Sequence, residues 1–168
     1  FSPRQVALGI AYEESSWLVA MDVTWLQWSR FPAPTATLDF DLDLGGLPFQ
    51  IPPQPVPGDP GFHDIMTLRL GGELRAHQGH WGELELRLGY GLEPSPVPEQ
   101  RGHTNYIDGL KHTFSFGLGL ALSDLAPLMH RGLEFNLSLQ AIWLPELEVV
   151  KTDPADTVGN YAAQGLSL

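Results

Sequence analysis

The chain has 168 residues, 43% of them hydrophobic, a formal net charge of −11 and no cysteine. The length suits one domain. The missing cysteines exclude a disulfide framework and any Cys-based metal site, and the acidic balance leaves no basic patch for nucleic acid. Gly (18) and Pro (15) are abundant while charged residues make up only 17%. No apolar run approaches the ~20 residues of a membrane helix, so any membrane crossing would have to be made by strands. Phe1-Ser2-Pro3-Arg4 leads straight into patterned sequence with no signal peptide, and the expectation for a membrane protein is that further chain precedes it.

From the first residues onward the apolar period is two, the mark of half-buried strands. Segment 6–13 places Val6, Leu8, Ile10 and Tyr12 opposite Ala7, Gly9, Ala11 and Glu13. Segment 17–25 opposes Trp17, Val19, Met21, Val23 and Trp25 to Leu18, Ala20, Asp22 and Thr24. In 64–75, Met66, Leu68, Leu70 and Leu74 alternate with Thr67, Arg69, Glu73 and Arg75. The fourth segment is the cleanest, with Leu84, Leu86, Leu88, Tyr90 and Leu92 against Glu83, Glu85, Arg87, Gly89 and Gly91. In 112–122, Phe114, Phe116, Leu118, Leu120 and Leu122 oppose Thr113, Ser115, Gly117, Gly119 and Ala121. Next, Leu133, Phe135, Leu137, Leu139 and Trp143 oppose Glu134, Asn136, Ser138 and Gln140, and 160–168 alternates only weakly.

Periodicity alone leaves two architectures open. In a soluble β-sandwich the Leu/Phe faces form the core and the charged faces meet water. In a membrane barrel the apolar faces meet lipid and the polar or small faces line the lumen. The links separate them better. Those after odd-numbered segments are short (14–16, around Gln78-Gly79, and about 123–131), whereas those after even-numbered ones are long and rich in Pro, Gly and polar residues (about 30–63, 94–110 and 145–159). Short turns on one side and long loops on the other predict an antiparallel transmembrane β-barrel. Tyr12, Trp17, Trp25, Trp81 and Trp143 near segment ends suit interfacial girdles. Thr37 to Leu44 also alternates, and is read as an extension beyond the membrane or an extracellular hairpin.

Several motifs add a resemblance. Trp28-Ser29-Arg30-Phe31 closes the second segment. Gly61-Phe62-His63-Asp64 with Leu68-Arg69-Leu70-Gly71 opens the third. Leu86-Arg87-Leu88-Gly89-Tyr90 then runs to Ser95-Pro96-Val97-Pro98. Ile107-Asp108, Lys111-His112 and Phe114-Ser115-Phe116-Gly117-Leu118-Gly119 follow in order. In motif, order and spacing over nearly the whole length, the chain resembles the long-chain fatty acid transporter family of the bacterial outer membrane. The resemblance implies a fourteen-stranded barrel, plugged by an N-terminal hatch, that passes hydrophobic compounds such as long-chain fatty acids or aromatic hydrocarbons. This chain would be its C-terminal part: about seven strands, no hatch, truncated at both ends, with a monomer as the default assembly.

Arg69, Arg75, Arg87, Glu73, Glu83 and Glu85 would share the lumen face of two adjacent strands. They make either a cross-strand ion-pair ladder or arginine forks for a substrate carboxylate. Asp22, Asn136 and Gln140 fall on the same face and complete the candidate substrate path. Phe49, Ile51 and Val56, inside the Pro-rich run 47–60, are candidate capture residues at the barrel mouth. Asp39, Asp41 and Asp43 form an acidic stripe, but strand geometry spaces successive carboxylates by about 6.5–7 Å, too far for one cation unaided. His77 and His80 flank a turn without further ligands at metal-site spacing. Asp64 and Asp108 stand at strand entrances near a His, without a serine elbow, so no catalytic constellation, cofactor or metal is expected. A general porin, a structural barrel and a secreted β-sandwich binding module are the alternatives.

Overall fold

Strands satisfy their backbone by pairing with neighbours, and strands that alternate between apolar and small or polar side chains keep like residues on one face only when paired in the same phase. The computed structural model describes residues 1–32, 59–99, 106–123, 132–152 and 159–168. Within them run β1 (Arg4–Glu13), β2 (Trp17–Gln27), β3 (Ile65–Gly79), β4 (Gly82–Glu93), β5 (Lys111–Leu122), β6 (Leu133–Val149) and β7 (Tyr161–Ser167). They form one antiparallel sheet in sequence order. The all-β reading and the strand count therefore hold. The sheet is open, with β1 and β7 at its edges. Among the described residues the one helical element is a 3-10 turn at Trp28–Arg30, and none of them forms a helix long and apolar enough to cross a membrane.

Register carries each face from strand to strand across the sheet. Leu8 pairs with Val23, Val23 with Leu68, Leu68 with Leu92, Leu92 with His112 and His112 with Trp143. The adjacent row, on the other face, runs Gly9, Asp22, Arg69, Gly91 and Thr113. A slip of one residue at any pair would carry a whole strand's leucines to the polar side. Two bulges correct the phase where the strands outlast their expected ends. One, between Arg75 and His77, puts His77 opposite Leu84 on the apolar face and extends β3 to Gly79. The other, between Leu144 and Leu147, accommodates Pro145, which cannot donate to a ladder, and carries β6 to Val149.

The connections segregate. Residues 14–16, 80–81 and 123–132 join strands at one end, and 28–64, 94–110 and 150–160 at the other. Because seven is odd, β1 and β7 run in the same direction, from the long-connection end to the short-connection end.

A soluble sheet would bury one face against a second layer. Here Ile65, at 4% exposure, is the one buried hydrophobic residue among those described. The apolar face stands open: Leu8 is 80% exposed, Leu88 66% and Leu139 63%, with Phe114, Phe116, Phe135 and Leu137 likewise exposed. Soluble monomers rarely expose contiguous apolar patches larger than a few hundred Å².

The tight β3–β4 turn depends on Gly82, which has φ 154°, and a Cβ there would run into the carbonyl oxygen of Ala121 on β5. Backbone cannot yield as a side-chain tip can. Gly82→Ala is expected to cost about 1–3 kcal/mol, read as a lowered chemical-denaturation midpoint. An unchanged midpoint would show that the turn is not held in this conformation.

Candidate functional site: the polar face and the long-connection end

The polar face carries the charges, and the sheet brings the expected ones together. Asp22 faces Arg69 across β2 and β3; Glu73 faces Arg87 and Arg75 faces Glu85 across β3 and β4. Side chains then choose partners by reach. Arg87 donates from Nε to Glu73 at 2.9 Å, from Nη2 to Glu85, and from Nη1 to Asn136 on β6 at 3.3 Å. Its strand pair Gly117 makes that span possible, since a Cβ there would sit 3.1 Å from the Arg87 Cβ. Gly119 plays the same part for Glu85 and Asn136, each with an oxygen 3.3 Å from where a Cβ would be. Arg75 turns from its strand partner Glu85 to Glu13 on β1, at 2.9 Å, and to the carbonyl of Ser15 at 3.3 Å, with Glu83 at 4.0 Å. Gln78 donates to Glu83 at 2.7 Å.

Toward the long-connection end the same face changes character. Arg69 meets Asp22 only loosely, at 3.8 Å. Gln140 sits opposite Ser115 and lines a shallow cavity with Arg69. Beyond them Thr24, Ile65 and Thr67 are enclosed.

Two carboxylates clamp the stems of the long connections. Asp64, just before β3, accepts the backbone N–H of Ser29, two residues past β2, at 3.0 Å. Asp108, before β5, accepts the hydroxyl of Ser95, two residues past β4, at 3.1 Å, and pairs with Lys111 at 2.9 Å. Lys111 also reaches Glu93 at 3.2 Å. The two stems are tied to each other by the His63 N–H donating to the carbonyl of Pro96 at 3.0 Å.

Above these clamps lies an aromatic cluster that sequence reasoning missed. Phe62 is 4.9 Å from Phe31, 6.3 Å from Trp28 and 5.2 Å from Tyr106, ring centre to ring centre, and Phe1 packs on Phe31 at 5.3 Å. Its members come from the chain start and three connection stems, so no window of sequence contains them. The available signal was the aromatic residues flanking the clamps: Trp28 beside Ser29 and Phe62 near Asp64 at one, and Tyr106 near Asp108 at the other.

Other expected features fall differently. Phe49, Ile51, Val56, Asp39, Asp41, Asp43 and the Thr37 to Leu44 stretch lie outside the described residues. His77 stacks on Trp81 at 4.4 Å on the apolar side. Among the described residues no group of three or more His, Cys, Asp or Glu is placed to hold a metal ion. No family model, curated protein or solved structure matches this chain.

Arg87 knits β3, β4 and β6 together, but it is half exposed, so solvent screens the network. A double-mutant cycle of Arg87→Met and Glu73→Gln is expected to give a coupling of about 1 kcal/mol, and a coupling of zero would remove the network as a stabilising element.

The hydrogen bonds from Ser29, with His63 nearby, hold the Asp64 carboxyl below its ordinary value of 3.8. A depressed folded value means that the clamp's contribution is complete above about pH 4 and is lost as pH falls through the folded value. Carboxyl NMR should show Asp64 titrating below 3.8, and Asp64→Asn should remove that component of acid sensitivity. Titration at or above the ordinary value would contradict the clamp.

Proposed function

We propose that this chain is part of an outer-membrane β-barrel that lets hydrophobic compounds, long-chain fatty acids or aromatic hydrocarbons, cross by passive diffusion. The apolar face meets lipid and the polar face lines the lumen. The observation that carries this reading is the apolar face itself, exposed on strand after strand with no layer packed over it among the described residues. Lipid is the environment in which such a face is stable, and a closed barrel is the form in which strands leave no unpaired edge in it. The segregation of short and long connections agrees with it.

Closure needs more strands than the seven described. With β1 and β7 running in the same direction, an all-antiparallel barrel requires an odd number of further strands between them. Seven more would give the fourteen that the motif resemblance implies, with a hatch in the lumen. The aromatic cluster at the long-connection end offers the first apolar surface to a compound arriving from outside, and Arg69, the ion-paired arginines and Gln140 would line its descent.

The face assignment is tested at two adjacent positions. Leu139 lies on the apolar face and Ser138 on the polar face of β6. Leu139→Arg should lower folding stability in bilayers by about 2–4 kcal/mol, whereas Ser138→Arg should change it little. The reverse order would mean that the Leu/Phe face is a covered core, as in a sandwich. Function is then read as uptake of labelled oleate and labelled toluene by cells carrying the protein in their outer membrane. Selective uptake is expected, with near-silent planar-bilayer conductance. Steady ion conductance with no hydrophobe uptake would establish a general porin instead.

A further inference from the structure

Each carboxylate clamp closes a single connection. Asp64 joins the two ends of 28–64, and Asp108 the two ends of 94–110. With these ties alone the two connections would behave independently. The β3–β4 hairpin prevents that. Its open end is made of the stem entering β3, which belongs to the first connection, and the stem leaving β4, which belongs to the second.

Three contacts bind the first connection to the second at this point. The His63 N–H donates to the Pro96 carbonyl at 3.0 Å, beyond the last register pair of the hairpin, Leu68 with Leu92. Gly61, at φ 70°, turns the chain so that a Cβ there would sit 3.8 Å from Pro98 Cγ. Phe62 packs edge-on against Tyr106 with ring centres 5.2 Å apart, and also touches Phe31 at 4.9 Å and Trp28 at 6.3 Å. Among the described rings only Phe62 therefore meets both connections. The stem it leans toward is stiff. Pro94, Pro96 and Pro98 fix φ at alternate positions and hold Ser95 and Val97 extended, so 94–98 transmits a displacement better than it absorbs one. Pro60 and Pro96 are both buried. None of these contacts depends on the edges of the sheet. β3, β4 and β5 are interior strands, and strands added beside β1 or β7 would not come between them.

We propose that the stems of the two long connections open and close as one cooperative unit that pivots on Phe62, so that whatever loosens or steadies one connection does the same to the other. Packed and open stems are two states of a single element, and both connections bias the same equilibrium. The coupling is reciprocal by linkage. It is independent of the transport reading, and holds whether the apolar face meets lipid or a second layer. In a transporter its consequence is that a compound held at one connection orders both.

The test is residue-resolved amide hydrogen exchange on the full chain in detergent micelles. Ser29 reports on the first connection, because its N–H is bound by Asp64, and Val97 on the second, because its N–H is bound by the Ser95 hydroxyl at 3.1 Å. Glu14 and Ser123, bonded to the Trp17 and Trp81 carbonyls at the other end of the sheet, serve as controls. Ser95→Ala breaks the second clamp alone, yet should speed exchange at Ser29 about five-fold. Asp64→Ala breaks the first, and should speed exchange at Val97 by a similar factor. Phe62→Ala should speed both, and the controls should not change. Ser29 unmoved by Ser95→Ala, or Val97 unmoved by Asp64→Ala, would show independent connections and overturn the proposal. Equal acceleration at Glu14 and Ser123 would overturn it too, by placing the effect in the whole sheet.

Discussion

The apolar face of a single sheet, with no covering layer among the described residues, is the constraint from which the rest follows. The strands between β1 and β7 spend their backbone donors and acceptors on neighbours at both sides, so the sheet needs no water for its main chain in its middle. Its side chains, however, divide into two surfaces with opposite demands. In water the Leu/Phe surface would be the dominant cost, at about 25 cal/mol for each Å² left exposed. In hydrocarbon it costs nothing, and burden passes to the charged surface, which must then find its partners within the protein.

The polar face is arranged to do so. At its short-connection end, arginines are shared among several carboxylates across three or four strands, and glycines on the intervening strands let the side chains lie flat and reach. Arg87 shows the principle. Its contact with Asn136, two strands away, exists because Gly117 and Gly119 put no side chain in the path. Exposure of these groups keeps each contact modest in energy, so the network acts more as a means of satisfying charge on one wall than as a source of stability. Among the described residues Arg69 stands apart, since its strand partners are Asp22, which meets it loosely, and Gly91, which has nothing to offer.

The long-connection end solves a different problem. Long links leave strand ends splayed unless something ties the stems, and here Asp64–Ser29 and Asp108–Ser95 repeat one device at two long connections. The aromatic rings near them then pack together from separate stems.

Strand number, strand direction and the composition of each face were legible in the sequence, because a period of two assigns side chains to faces without reference to any partner. Leu84 to Leu92 against Glu83 to Gly91 needed no tertiary information. The bulges at Arg75/His77 and Leu144/Leu147 were not legible, since a phase change looks like the end of a pattern; accordingly β3 and β6 run farther than the alternation suggested. Nor could the sequence say which carboxylate each arginine takes. Arg75 passes over its register partner Glu85 for Glu13 on a strand two places away, a choice decided by side-chain reach across the assembled sheet. The clamp residues and the aromatic cluster are the same case at longer range. Local alternation determined what each strand would be, and only the register of all seven decided which charges meet, because a contact between non-adjacent strands has no trace in the period of either one.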